Sequence, residues 1–240
     1  PCEFEALNTI ALQLRDLGHL EQSQSLFEQL VAGRREANGS THPLTLHAIG
    51  SLSSLSQMRG HLAEAEALAR EALDGAKMML GSSHPDTLGQ MTHLSTVLKD
   101  QGKLGEAELL AREAADSSRN MLGDSHPDTL ISLSNLAQVL LVQGKLEEAE
   151  ELAREDFRGS RQRLGASHPD TLVSLSNLAQ LLVHRGASMM SLASLHQRLR
   201  HSKGRTTCTV ECAPVPMAGR LKEAEALMRK TLKRSRADLG

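Results

Sequence analysis

Apolar residues along this chain recur at three- and four-residue intervals, in blocks that glycine and proline interrupt at regular distances. In one block Leu130, Leu133, Leu136, Ala137 and Leu140 share one face of a helical period, the mark of an amphipathic helix. Gly144 then supplies a residue able to take the left-handed conformation that closes a helix. A second periodic set, Leu146, Ala149, Leu152 and Ala153, follows Lys145 and runs out near Leu164-Gly165. The pattern predicts two helices of roughly 15 residues joined by a tight turn, an antiparallel helical hairpin. At its start Ser125-x-x-Asp128 has capping-box spacing, and Pro127 suits a first helical turn, where a missing N–H costs nothing. On the polar face of the second helix Glu66–Arg70, Glu108–Arg112, Glu150–Arg154 and Glu225–Arg229 lie four apart in the favourable order. They are expected to be a solvated face worth ~0.2–0.5 kcal/mol per pair rather than a binding site.

The hairpin repeats. Pro1, Pro43, Pro85, Pro127 and Pro169 each stand 42 residues after the last. Ser-His-Pro-Asp-Thr-Leu recurs at Ser83–Leu88, Ser125–Leu130 and Ser167–Leu172, with Thr41–Leu46 a looser copy. Gly-x-Leu followed by Glu-Ala-Glu keeps the same period from Gly60, Gly102 and Gly144, with a worn copy at Gly18, and Leu-Gly closes units at Gly81, Gly123 and Gly165. Self-similarity at such a period is the signature of stacked repeats, because one hairpin cannot bury both its apolar faces without neighbours. Five units follow, about 1–42, 43–84, 85–126, 127–168 and 169–240. The histidines that open them, His42, His84, His126 and His168, read as capping and turn-packing groups.

The unit resembles a tetratricopeptide repeat in its 42-residue form, as in kinesin light chains and nephrocystin-type proteins. The matching residues are Ser-His-Pro-Asp-Thr-Leu, Asn135-Leu136-Ala137, Gly144-Lys145-Leu146, Glu148-Ala149-Glu150 and Leu164-Gly165. Small Ala137 and Ala149 fall where that family packs its two helices closely. The resemblance implies an all-α fold, a right-handed superhelical solenoid of antiparallel helix pairs. Departures are Leu140 and Leu146, where the family often has Tyr, and Asp156, which stands where earlier copies have Ala72 and Ala114. Asp156 is expected to weaken packing locally or to snorkel outward.

The fifth unit breaks the pattern. It begins normally and reaches Gly186, but the second helix resumes only at Gly219-Arg220-Leu221-Lys222-Glu223-Ala224-Glu225, 33 residues late. Residues 187–218 therefore read as an insertion loop between the two helices. Lengthening that turn costs roughly 2 kcal/mol of closure entropy. Docking Leu221, Leu227, Met228 and Leu232 at ~1.5–3 kcal/mol each outweighs it, so the last helix is expected to pack. Within the insert Leu192, Leu195 and Leu199 suit a short amphipathic helix. His196, His201, Cys208 and Cys212 make a poor zinc set, with the histidines first and no second copy. The foreign composition suits extra sequence, such as a translated intron, tolerated at a surface turn.

Composition narrows the rest. A net charge of -2 gives no general pull toward nucleic acid or acidic membranes, and no apolar run is long enough to cross a bilayer. The basic cluster Arg229, Lys230, Lys233, Arg234 and Arg236 lacks aromatic stacking partners, so no nucleic-acid partner is expected. Cys2, Cys208 and Cys212 are too few for a disulfide framework, which favours a reducing, cytoplasmic setting. With no Trp or Tyr and only Phe4, Phe27 and Phe157, the core must be aliphatic. The chain starts on a repeat's proline and stops on a Leu-Gly, as expected of a piece of a longer protein. Its terminal units lack polar caps, which opens it to end-to-end self-association or fraying.

No phosphate loop, nucleophile motif or repeated metal spacing is visible, so an enzyme, a cofactor and a metal are all unexpected. The expected function is a protein-interaction scaffold. The resemblance implies that the first helix of each unit lines a concave groove holding a partner peptide. The relevant column is Thr9, Ser51, His93, Asn135 and Asn177, of which only Asn135 and Asn177 match the family's peptide-clamping Asn. Gln138 and Gln180 lie one turn on, Ser134 and Ser176 one residue before, and Leu141, Val142 and Val183 give an apolar wall. Two alternatives stand beside this. Asn135 and Asn177 could serve only to bond neighbouring helices, and the array could be the regulatory or sensor part of a larger enzyme or NTPase.

Overall fold

A computed structural model describes residues 2–202, with side chains from 3 to 185, and among these residues every regular element is a helix. In order these are α1 (Cys2–Asp16), α2 (Leu20–Asn38), α3 (Pro43–Met58), α4 (Leu62–Leu80), α5 (Pro85–Asp100), α6 (Leu104–Leu122), α7 (Pro127–Gln143), α8 (Leu146–Leu164) and α9 (Pro169–Ser202). The chain divides into two compact units, Pro1–Val142 and Gln143–Gly240. In the first, consecutive helices pack on one another from α1 through α6, and α3 also touches α5; in the second, α8 packs on α9.

The core is aliphatic, as the missing aromatics require. Leu30, Ile49, Leu55, Met91, Leu98, Leu133 and Leu140 are fully buried in the first unit, with Phe27 the one aromatic among them, and Leu178 and Leu182 in the second. Ala11, Ala65, Ala69, Ala107 and Ala111 are buried at the helix crossings, where a larger side chain would hold the backbones apart. A serine latches each of the first three hairpins. Ser23 Oγ on α2 donates to the Ala11 carbonyl on α1 at 2.8 Å. In the next two the hydroxyl sits on the first helix instead, Ser53 donating to Ala65 O at 2.7 Å and Ser95 to Ala107 O at 2.8 Å. A buried bond of this kind contributes about 1 kcal/mol net.

The turns follow the glycine ruler. Gly18, Gly60 and Gly102 have φ near +80°, a left-handed backbone that favours glycine. The Gly60 N–H reaches Gln57 O at 2.9 Å and the His61 N–H reaches Ser56 O at 2.9 Å. This is a Schellman closure of α3, and α1 and α5 end the same way.

At the helix starts the histidines cap, as their place before each proline suggested. Nδ1 of His42, His84, His126 and His168 accepts the backbone N–H two residues on, at 3.2–3.3 Å. His84 has the extended backbone of an N-cap, with Pro85 next in line as the first helical residue. A ring nitrogen two bonds from Cβ reaches the same N–H that a serine hydroxyl would take one position on.

Two expectations are corrected. Asp156 does not snorkel: it is 3 % exposed and accepts from Ser174 Oγ at 2.9 Å and Ser160 Oγ at 3.2 Å, hydroxyls that make the carboxyl tolerable inside. Nor does the insertion begin as a loop. α9 passes through Gly186 and continues helical to Ser202, because the Leu that completes the Gly-x-Leu stop is missing and strong helix formers follow, Ala187, Met189, Met190, Leu192 and Ala193. The remainder of the insertion, its two cysteines and the expected last helix lie outside the described residues.

The Glu–Arg pairs form at Glu66–Arg70 (2.7 Å), Glu108–Arg112 (2.9 Å) and Glu150–Arg154 (3.0 Å), Glu225–Arg229 lying outside the described residues. They are more than a solvated face. Lys103 from the following hairpin bonds Glu66 at 2.8 Å, and together with Arg70 it holds that carboxyl down at about 2. Arg70 in turn reaches Glu106 at 3.1 Å. In the second unit, burial pushes the Glu150 carboxyl up, but bonds from Arg185 and Arg154 bring it below its ordinary value.

Candidate functional site

The first helix of each pair turns one stripe away from its hairpin, at residues spaced three and four apart. On α7 that stripe is Ile131, Ser134, Gln138, Leu141 and Val142, all exposed or half-buried. On α5 it is Gly89, Thr92, His93, Thr96 and Lys99, and on α3 it includes His47, Ser51 and Ser54. These three helices belong to the first unit. Ser176, Asn177 and Gln180 form the matching stripe on α9 in the second unit, Ser176 and Gln180 exposed and Asn177 half-buried.

The column of expected peptide clamps has a structural role in the first unit. His93 Nε2 lies 2.9 Å from Ser53 Oγ. Ser53 spends its one proton on Ala65 O, so Nε2 carries the ring N–H and donates to Ser53. Burial pushes the His93 ring below the ordinary imidazole value, which keeps it neutral. Asn135, 9 % exposed, repeats this reach one unit later. Its Nδ2 donates to Ser95 Oγ at 3.2 Å and to Thr92 O at 3.4 Å, while Oδ1 accepts from Thr96 Oγ1 at 2.9 Å. Both N–H groups are used within the fold. Ser51 and Thr9 bond the carbonyl four residues back in their own helices.

Beside Asn135 the stripe is open. Gln138 Oε1 accepts from Lys99 Nζ at 3.5 Å, and Val142 and Ile131 are 56 % and 59 % exposed. Lys99 was not singled out from the sequence. It stands where α7 has Leu141, and its own side chain is largely covered, beside Asp100 at 3.5 Å. At the N-terminal ends of α3, α5 and α7 the same face opens into a cleft of about 480 Å³ with Gly89 among its walls. The sequence signal for it was a glycine in a register position otherwise filled by Glu5, His47, Ile131 and Val173. Among the described residues no three His, Cys, Asp or Glu side chains gather as a metal site, and no helix is long and apolar enough to cross a membrane.

Comparison with known proteins places this geometry. The family model of the tetratricopeptide repeat matches residues 3–78 and 86–155. No curated protein matches the chain. Among solved structures, the nearly identical TPR-like repeats of a kinesin light chain-like protein from Podosopora anserina superpose with a TM-score of 0.69 at 23% identity, covering 95% of this chain and 96% of that one. A single-residue variant of those repeats gives 0.70 at 22% identity, over 96% and 97%. BtubC (BKLC) from P. vanneervenii gives 0.59 at 20% identity, over 92% of each chain. At these identities the likeness is one of fold.

Proposed function

This chain belongs to the tetratricopeptide-repeat family, whose repeats generally mediate protein–protein interaction, and from that premise we propose that it captures an extended peptide of a partner protein on the stripe of its first helices. It works as a scaffold built on the fold that it shares with the kinesin light chain-like repeats. The observation that carries this reading is the mixed stripe on α7, where half-buried Ser134 and Gln138 place polar groups beside half-buried Leu141 and exposed Val142, which offer apolar contact. An amide and a hydroxyl one turn apart suit the alternating N–H and C=O of a peptide backbone. Asn135 contributes as the brace that fixes α7 against α5. In the second unit, α9 carries the same residue types at Asn177, Gln180 and Ser176.

The test is capture of peptides from a displayed library by the full chain. Gln138→Ala combined with Val142→Asp is expected to lower capture at least tenfold, with the helical circular dichroism unchanged. Glu106→Ala, on the second helix of its hairpin, is expected to leave capture alone. Capture that survives the Gln138 and Val142 changes would sink the reading.

A further inference from the structure

We propose that the cleft beside Gly89 seats a branched aliphatic side chain of the bound peptide, and that lysine or arginine flanks that residue. The inference rests on the peptide-binding reading and specifies which peptides it selects. Glycine at 89 is demanded neither by packing nor by backbone. It lies inside α5 with no positive φ, and a Cβ built there meets nothing within 4 Å. Glycine in a helix interior is less stable than alanine, so the fold gains nothing from it. What it does is open space between His47 and Ile131, the residues that hold the same register on α3 and α7.

The space is walled mainly by apolar side chains, with the polar Gln90, Thr92, Ser118 and Ser132 among them and two aspartates at its border. Leu46, Leu80, Leu88, Leu122 and Ile131 line it, and its volume of about 480 Å³ lies within the 300–1,000 Å³ usual for ligand clefts. Asp86 and Asp128 also border it, with side chains 73% and 53% exposed, and no lysine or arginine does. Their nearest bases are His84 and His126, each 3.7 Å away and each with Nδ1 already accepting a helix N–H. The helix N-termini on which the two carboxylates sit favour negative charge there. A largely apolar well bordered by two carboxylates and by no lysine or arginine fits an aliphatic residue between cations and repels an acidic peptide.

Fluorescein-labelled Gly-Ser-Lys-Ile-Lys-Ser-Gly, titrated against the full chain by anisotropy, is the direct probe. It is expected to bind at least tenfold more tightly than the same peptide with Ala for Ile or with Glu for both Lys. Gly89→Leu fills the cleft and is expected to abolish the Ile-over-Ala preference while leaving the helical spectrum intact. Asp86→Asn with Asp128→Asn is expected to abolish the Lys-over-Glu preference and its salt dependence. Equal binding of the three peptides, a preference that survives Gly89→Leu, or no binding of the Lys-Ile-Lys probe would overturn the proposal. The groove itself is read out separately: peptides that bind without preference, yet are lost on Gln138→Ala with Val142→Asp, leave the groove standing and remove only the cleft.

Discussion

His93 and Asn135 occupy the same place in successive first helices and solve one problem with different chemistry. Each reaches a serine of the preceding first helix, Ser53 or Ser95, and so fastens neighbouring hairpins together. Burial keeps His93 below the ordinary imidazole value of 6.5, so an unfolded chain takes that proton first. Its contribution to stability is therefore present above that value and lost as pH falls through it. Glu66 acts in the same direction further down: held at about 2 by Lys103 and Arg70, it loses its contribution as pH falls from 4.5 toward 2. Urea unfolding at a series of pH values should show stability declining in both windows. His93→Asn should flatten the upper window and Glu66→Gln the lower; a profile that neither variant alters would refute the assignment. The sequence identified this column and left open whether its amides face a ligand or bond the neighbouring helices, as Asn135 does. Whether an amide faces a ligand or the next helix depends on a hydroxyl forty residues away, and helical periodicity carries no such information.

At the scale of the helix, three glycines have three different effects. Gly60 ends α3 with a positive φ, Gly75 lies where a Cβ would stand 2.5 Å from Leu46 Cδ2, and Gly89 faces open space. Gly60→Ala is expected to cost about 1 kcal/mol through backbone strain. Gly75→Ala is expected to destabilise as well, by forcing Leu46 aside. Gly89→Ala is expected to stabilise by about 0.5–1 kcal/mol, and thermal unfolding of the three variants checks the order. The 42-residue ruler made every helix pair and turn through Gly165 legible, because glycine, leucine and proline repeat there in fixed order. Past Gly186 the same reading failed. Glycine alone does not stop a helix; it stops one when the following residues can begin another, and Ala187-Ser188 do not. The cleft left only a faint signal, one glycine at a register position, since its walls come from five helices.

At the scale of the molecule, the first unit is a chain of nearest-neighbour contacts in which α3, α4 and α5 are each packed on both sides. α1 leads the series and packs on α2. Stability in such an array is a sum of unit and interface terms, so the edge opens more easily than the middle. Native-state hydrogen exchange should find the amides of α4 and α5 protected by at least tenfold more than those of α1; equal protection would mean that the unit opens as one block. The serine latches carry a consequence for how such a gene can change. The first hairpin keeps its hydroxyl at Ser23 on the second helix, while the next two keep theirs at Ser53 and Ser95 on the first helix. A recombination breakpoint in the loops before Pro43 or Pro85 passes each latch on whole. One falling inside a hairpin can join Ala11 to Ala65 and leave no hydroxyl, so heredity should favour cuts at the prolines.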